Sequence, residues 1–225
     1  MRTVVIGSGS WGTALAQVLQ DNHQEVLVYG VAEAEVNDIN ENHKNSKYFG
    51  DVELNPELKA TTDIQCVKGA DIVLLAVPTI AIDPICHQIN DILDKKTIII
   101  NVSKGFHPET NERMSEVIRR CIDEDKLSSV VSLIGPSHAE EVVIRLLTTI
   151  DAISLNNEDA VTVQNLFSNQ YLRIYTGNDE IGSELGVAIK NVMAIASGIL
   201  SGLGYQDNTL SLIHISEPTR RVVIS

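Results

Sequence analysis

Three glycines near the amino terminus, Gly7, Gly9 and Gly12, stand at G-x-G-x-x-G spacing. They follow a short β-branched run, Thr3–Ile6, and open an apolar stretch at helical spacing, Trp11–Gln20. In that setting each serves a mechanical purpose. Gly7 permits a tight turn, Gly9 lets backbone approach a pyrophosphate, and Gly12 lets helix and strand pack closely. The helix N-terminus then offers free N–H groups and a partial positive charge to the anion. A glycine-rich turn with no ligand is the plain alternative, but strand, turn and helix agree and favour dinucleotide binding. No G-x-x-x-x-G-K-[ST] occurs, which removes a P-loop phosphotransferase. An acidic partner for a ribose 2′-hydroxyl would lie about 20 residues on. After the strand-like Glu25–Tyr29, Glu33 and Glu35 read as solvated residues in the first turns of a helix, which leaves NAD versus NADP open.

Two lysines and one turn extend the chemistry. Lys104 lies just past the carboxyl end of the strand-like Thr97–Val102, where open α/β sheets bind ligands. The turn Gly135-Pro136-Ser137 also follows a strand; it either offers N–H groups and a hydroxyl to a small polar ligand or merely turns the chain. Lys190 is the only charged residue in LGVAIKNVMAIASGIL, the composition of a buried helix. Gly182, Gly186, Ala194, Gly198 and Gly202 share its i, i+4 row, so that face is bare except for the lysine. A desolvated lysine exchanges a proton near neutral pH, as a catalytic acid or base must; the alternative is a lysine snorkelling to solvent. The histidines show no paired metal-binding spacing, and no metal is expected.

The elements that must position these groups alternate. Acidic Ala32–Asn42 reads as a helix, Asp71–Val77 and Thr97–Val102 as strands buried on both faces, and Thr79–Leu93 as the helix between them. A polar helix (Asn111–Ile122), strands Val130–Ile134 and Thr148–Leu155, a helix (Ala160–Phe167) and a strand (Tyr171–Tyr175) follow. From Asp179, a suitable N-cap, one apolar helix runs to about Leu203. The expected fold is α/β: a Rossmann-type, mostly parallel sheet over residues 1–178, then the start of an all-helical C-terminal domain over 179–209, welded to the sheet rather than tethered.

Composition narrows the partners. The 225 residues are 44% hydrophobic and 21% charged, which excludes a disordered chain. A net charge of −13 argues against binding nucleic acid or anionic lipid, so an anionic ligand must be met by a few local cations. Cys66, Cys86 and Cys121 suit neither a disulfide framework nor a zinc site, which fits a reducing cytoplasm. The amino-terminal apolar run is too short for a signal peptide or a membrane span, and no membrane insertion is expected.

The motifs GSGSWGTALA, NHKNSKYF (Asn42–Phe49), AVP (Ala76–Pro78), SKG (Ser103–Gly105), GPSHAEE (Gly135–Glu141), LFSNQYLRIYT (Leu166–Thr176) and ELGVAIKNVMAIASGILSGLGYQDN (Glu184–Asn208) occur in this order. In that order they resemble the bacterial-type NAD(P)-dependent glycerol-3-phosphate dehydrogenases over about residues 1–209. The resemblance implies interconversion of sn-glycerol 3-phosphate and dihydroxyacetone phosphate, serving phospholipid synthesis, with NAD or NADP as cofactor and a small phosphorylated three-carbon substrate. It implies that Ser10, Trp11 and Ala139 touch the cofactor, Lys104 touches cofactor and substrate, Gly135 and Ser137 touch substrate, and Lys190 accepts the proton. A homodimer is compatible with it. Val187 and Ile189 depart from the family's ELGGALKN. From Leu210 the tail LSLIHISEPTRRVVIS loses the helical period and resembles translated adapter sequence, where the family continues with a helical domain that holds the substrate phosphate. Weak or no turnover is therefore expected of these 225 residues. The rival readings are a non-catalytic dinucleotide-binding module and a related hydroxy-acid dehydrogenase.

Overall fold

Strands with apolar side chains at successive positions must be covered on both faces, the condition of a parallel sheet between helical layers. The computed structural model describes residues 1–205, apart from the side chain of Asn191; the tail Leu210–Ser225 lies outside the described residues. Along the chain come β1 (Arg2–Ile6), α1 (Ser10–Asp21), β2 (Glu25–Tyr29), α2 (Glu33–Asn37), α3 (Ser46–Phe49), β3 (Lys59–Thr61), β4 (Ile72–Leu75), α4 (Thr79–Asn90), β5 (Thr97–Asn101) and α5 (Met114–Cys121). Then follow β6 (Leu127–Ile134), α6 (Ala139–Val143), β7 (Thr148–Ile153), α7 (Asn157–Phe167), β8 (Leu172–Gly177) and α8 (Glu180–Gly202). The strands form one sheet in the order β3-β2-β1-β4-β5-β6-β7-β8. Successive strand residues serve opposite layers: Val4 and Ile6 pack with Ile82, Ile89 and Val117, whereas Val5 packs with Leu15, Leu19 and Phe167.

Three local differences from the sequence reading have physical causes. The helix expected over Ala32–Asn42 is α2 followed by a single wide π-type turn, Asp38–Asn42, which ends with His43 in the left-handed region (φ 52°). The edge strand β3 is only three residues long and too short for a period-2 signal. Helix α7 starts at Asn157, ahead of the apolar period, because the Asn156 side chain accepts from the N–H groups of Glu158 (3.0 Å) and Asp159 (3.3 Å).

The path of α8 depends on one reversal. Strand β7 is antiparallel to β6 and parallel to β8, so β8 ends at the edge of the sheet opposite the carboxyl ends of β1, β4, β5 and β6. Helix α8 starts there, capped by Asp179, whose carboxylate accepts from the Gly182 N–H at 2.9 Å. It runs back along α5 and β6 through a buried ionic cluster. Glu180 accepts two bonds from Arg119 (2.8 and 2.6 Å) and one from Arg113 (3.2 Å). One turn later Glu184 accepts from Arg113 (3.0 Å), the Ser115 hydroxyl (2.7 Å) and the Ser132 hydroxyl (3.3 Å). The expected weld of helix to sheet is thus ionic.

Beyond this cluster α8 is uncovered among the described residues: Val192, Ile195, Ile199 and Leu203 are 58–69% exposed. By length and composition alone α8 is apolar enough to cross a membrane, but Glu180 and Glu184 hold its first turns against the sheet.

Breaking a buried ionic cluster from one side strands the remaining charge. Arg113→Ala is expected to lower the unfolding free energy in urea by about 3–5 kcal/mol; a loss below about 1 kcal/mol would contradict the role given to the cluster. Burial pushes the Glu180 carboxyl up, but the bonds from Arg119 and Arg113 outweigh it and hold the group below its ordinary value of 4.5. A depressed carboxylate stabilises fully above its unfolded value, and the contribution is lost as pH falls through the folded one. Stability should therefore decline as pH drops below 4.5, and less steeply in Glu180→Gln, as urea midpoints across pH would record.

Candidate active site

The glycine turn joins β1 to α1 under severe steric limits. Gly7 has φ +116°, and a Cβ there would stand 2.4 Å from the Ala76 carbonyl oxygen. A Cβ on Gly12 would stand 2.1 Å from the Gly7 carbonyl oxygen, so α1 seats directly against the turn. Gly9 is the opposite case: nothing lies within 4 Å of where its Cβ would be. It is the N-cap of α1, and no side chain caps the helix, so the first-turn N–H groups, Ser10 and Trp11 among them, are left for a ligand. Asn45, from the NHKNSKYF segment, braces the turn from behind. Its buried amide donates to the Ser8 carbonyl oxygen and to Thr13 Oγ1, both at 2.8 Å.

In front of the turn lies a cleft of about 490 Å³, lined by Gly7, Gly9, Glu35, Tyr48, Val77 and Pro78 among others. The open face at Gly9, the uncapped helix and the apolar walls at Val77 and Pro78 fit a dinucleotide. Trp11 packs its ring partly buried against the core, with its indole N–H buried and without a partner among the described residues.

Glu35 corrects the sequence reading. It is a wall of this cleft rather than a solvated helix residue, with its side chain only 10% exposed. Its carboxylate accepts from the Ser8 hydroxyl at 2.5 Å and from Lys47 Nζ at 2.6 Å. Burial pushes the carboxyl up, but these two bonds more than offset it and hold Glu35 below its ordinary value.

Lys104 and the α8 segment that leads to Lys190 come together at the same edge of the sheet, where Lys104, Glu184 and Val187 line one small cleft. Lys104 follows β5, and the Ser103 hydroxyl beside it donates to the Val77 carbonyl oxygen at 2.5 Å, stitching this loop to the cleft wall. Desolvation by the surrounding chain and the nearby Lys190 ammonium both hold the Lys104 pKa below the lysine value. Six residues after Glu184, α8 has climbed about 9 Å, which brings Lys190 from the ionic cluster to this edge. The desolvation expected of Lys190 is absent among the described residues: its side chain is exposed, because nothing covers that face of α8.

The remaining expectations divide. Gly135 has a packing reason of its own, since a Cβ there would stand 2.7 Å from the Ile150 side chain on the reversed strand β7. Among the described residues the Ser137 hydroxyl reaches only the Gly135 carbonyl oxygen, at 3.4 Å. Ala139 is buried in the core layer that contains α1. Away from the cleft, Asp83, His87 and Cys121 place ligand-type atoms within 4.8 Å of one another, a grouping that spacing does not reveal. There Arg120 donates to Asp83 at 2.8 Å, and burial pushes the Cys121 thiol up to about 11.

Comparison with known proteins decides the family. The family model described as the N-terminus of NAD-dependent glycerol-3-phosphate dehydrogenase matches residues 2–161, and the model of its C-terminus matches residues 179–216. The chain belongs to this family. The glycerol-3-phosphate dehydrogenase [NAD(P)+] of Listeria innocua is 48% identical over 208 residues, covering 92% of this chain and 62% of that protein. The Streptococcus sanguinis enzyme is 45% identical over 213 residues, covering 94% and 63%. The crystal structure of glycerol-3-phosphate dehydrogenase from Coxiella burnetii superposes with a TM-score of 0.84 at 29% identity, over 94% of this chain and 64% of that one. The Saccharomyces cerevisiae enzyme gives 0.85 at 25% identity, over 95% and 67%. The chain thus spans somewhat over three-fifths of the length of these bacterial relatives. The cofactor that family membership implies is NAD or NADP.

Because Gly9 faces open space whereas Gly12 faces backbone, substitutions at the two should separate binding from folding. Gly9→Ser, which keeps a residue suited to the N-cap, is expected to weaken NADH binding at least about tenfold, read by fluorescence titration, with the unfolding midpoint nearly unchanged. Gly12→Ala should instead destabilise the fold by about 1–3 kcal/mol. Equal loss of stability in both variants would contradict the assignment.

Proposed function

We propose that the chain supplies the cofactor domain, residues 1–178, and the first substrate-binding helix, from 179, of an oxidoreductase that interconverts sn-glycerol 3-phosphate and dihydroxyacetone phosphate for glycerophospholipid synthesis. The observation that carries this reading is the placement of Lys104 in one small cleft with Glu184 and Val187 of α8, one turn before Lys190, at the sheet edge that also bears the glycine turn. In a chain of net charge −13, the two lysines are the local cations that an anionic three-carbon substrate requires. The bound nicotinamide supplies the hydride. Lys104 then attracts the substrate anion and Ser137 offers it a hydroxyl. Lys190, as an ammonium, protonates the developing alkoxide during reduction; as a neutral amine, it takes the hydroxyl proton during oxidation. Three free cysteines suit the reducing cytoplasm as the working compartment. The face of α8 that the described residues leave uncovered gives a surface on which two copies pair.

Exposure of Lys190 favours a second reading for these 225 residues as they stand: dinucleotide binding with little turnover. Positioning of the reacting groups contributes much of a dehydrogenase's rate, and the described residues leave Lys190 open to water.

A steady-state assay of NADH oxidation with dihydroxyacetone phosphate separates the two. We expect NADH to bind and turnover to fall at least about a hundredfold short of a full-length relative; comparable turnover would overturn the second reading. In any preparation that does turn over, Lys190→Ala should abolish the reaction and leave NADH affinity within about twofold. Retained activity would remove Lys190 from its role.

A further inference from the structure

The Glu35–Lys47 pair at the wall of the dinucleotide cleft has no part in the chemistry above, yet it is closely built. Glu35 is tied to the glycine turn itself, through the Ser8 hydroxyl. A Cβ on Gly30 would stand 2.5 Å from that hydroxyl, so β2 and the turn close tightly around it. Lys47 extends from α3, its side chain 64% exposed, and lies 5.1 Å from the centre of the Tyr48 ring. Glu35, Lys47 and Tyr48 all line the same cleft, on the β2 side of the turn. On that side of a Rossmann turn the cofactor's adenosine ribose is recognised: a carboxylate accepts from a 2′-hydroxyl, and a cation meets a 2′-phosphate.

We propose that Glu35 and Lys47 together select between the two cofactor forms, Glu35 holding the ribose 2′-hydroxyl of NAD and Lys47 turning from Glu35 to the 2′-phosphate of NADP. This rests on the reading of the cleft as the dinucleotide site. The pair explains how one cleft serves two ligands that differ by a dianion. With NAD, the ion pair stays closed and Glu35 uses a remaining lone pair. With NADP, Glu35 alone would repel the phosphate, so the half-solvated ammonium must leave it and bridge. The selector is then a balance of two opposite charges held at one position, not a single acid or a single cation.

The test measures dissociation constants of NADH and NADPH by fluorescence for the unmodified chain, Glu35→Gln and Lys47→Met. Glu35→Gln keeps a hydrogen-bonding amide for Ser8 and removes only the charge. It should shift the affinity ratio toward NADPH by about tenfold or more. Lys47→Met, at an exposed position, should shift it toward NADH by about fivefold or more, with NADH affinity within about twofold. Ratios unchanged within about twofold in both variants, while NADH still binds, would overturn the selector and leave the dinucleotide site standing. Failure of the unmodified chain to bind either cofactor would overturn the site, and the selector with it. Should Glu35→Gln fail to fold, the Lys47→Met ratio alone decides.

Discussion

The close approach of Gly12 to Gly7 is the constraint from which the rest is arranged. With no side chain on Gly12, the first helix sits against the turn that precedes it, and the turn in turn presses on the Ala76 backbone at the end of β4. Strands β1 and β4 and helix α1 are thereby fixed to one another at a single point, and the cleft opens beside that point. Asn45 holds the turn from the far side, and the Ser103 hydroxyl ties the next strand end to the cleft wall. A ligand site made of backbone gains its rigidity from such neighbours, since the turn has almost no side chains of its own to lock.

The second organising element is electrostatic. Two glutamates from α8 enter a region shared by two arginines and two serines, and every carboxylate oxygen finds a donor. Such a cluster contributes little net stability compared with apolar packing of the same volume, but it tolerates few alternative arrangements. Its effect here is placement. Apolar contacts would let α8 slide along the sheet; the paired charges define one register. The reversal of β7 matters for the same reason, because it starts α8 at the edge from which it can run toward the ligand.

Much of this is legible in the sequence. The glycine spacing, the doubly buried strands DIVLLAV and TIIINV, the Asp179 cap and the position of Lys104 all declare themselves through local rules, because turn chemistry and periodicity are local. Glu35 does not, since an acidic residue in the first turn of a helix has an ordinary dipole explanation, and only the fold brings Ser8 and Lys47 to it. The antiparallel setting of β7 is also hidden: strand periodicity carries no direction. The neighbours of Lys190 point to a buried setting, but burial belongs to what covers a helix, and sequence periodicity describes only the helix. Glu180 and Glu184 look like plain charges at a helix start, for their arginines lie more than sixty residues away.

The fixed register of α8 makes the helix a ruler. Lys190 stands six residues beyond Glu184, so its height above the ionic cluster and its bearing around the helix axis are both set by the count of residues between them. One residue more or fewer would turn the ammonium by about 100° and shift it by about 1.5 Å, leaving every other part of the molecule in place. The length of this segment is thus constrained more tightly than the identity of the side chains that line it.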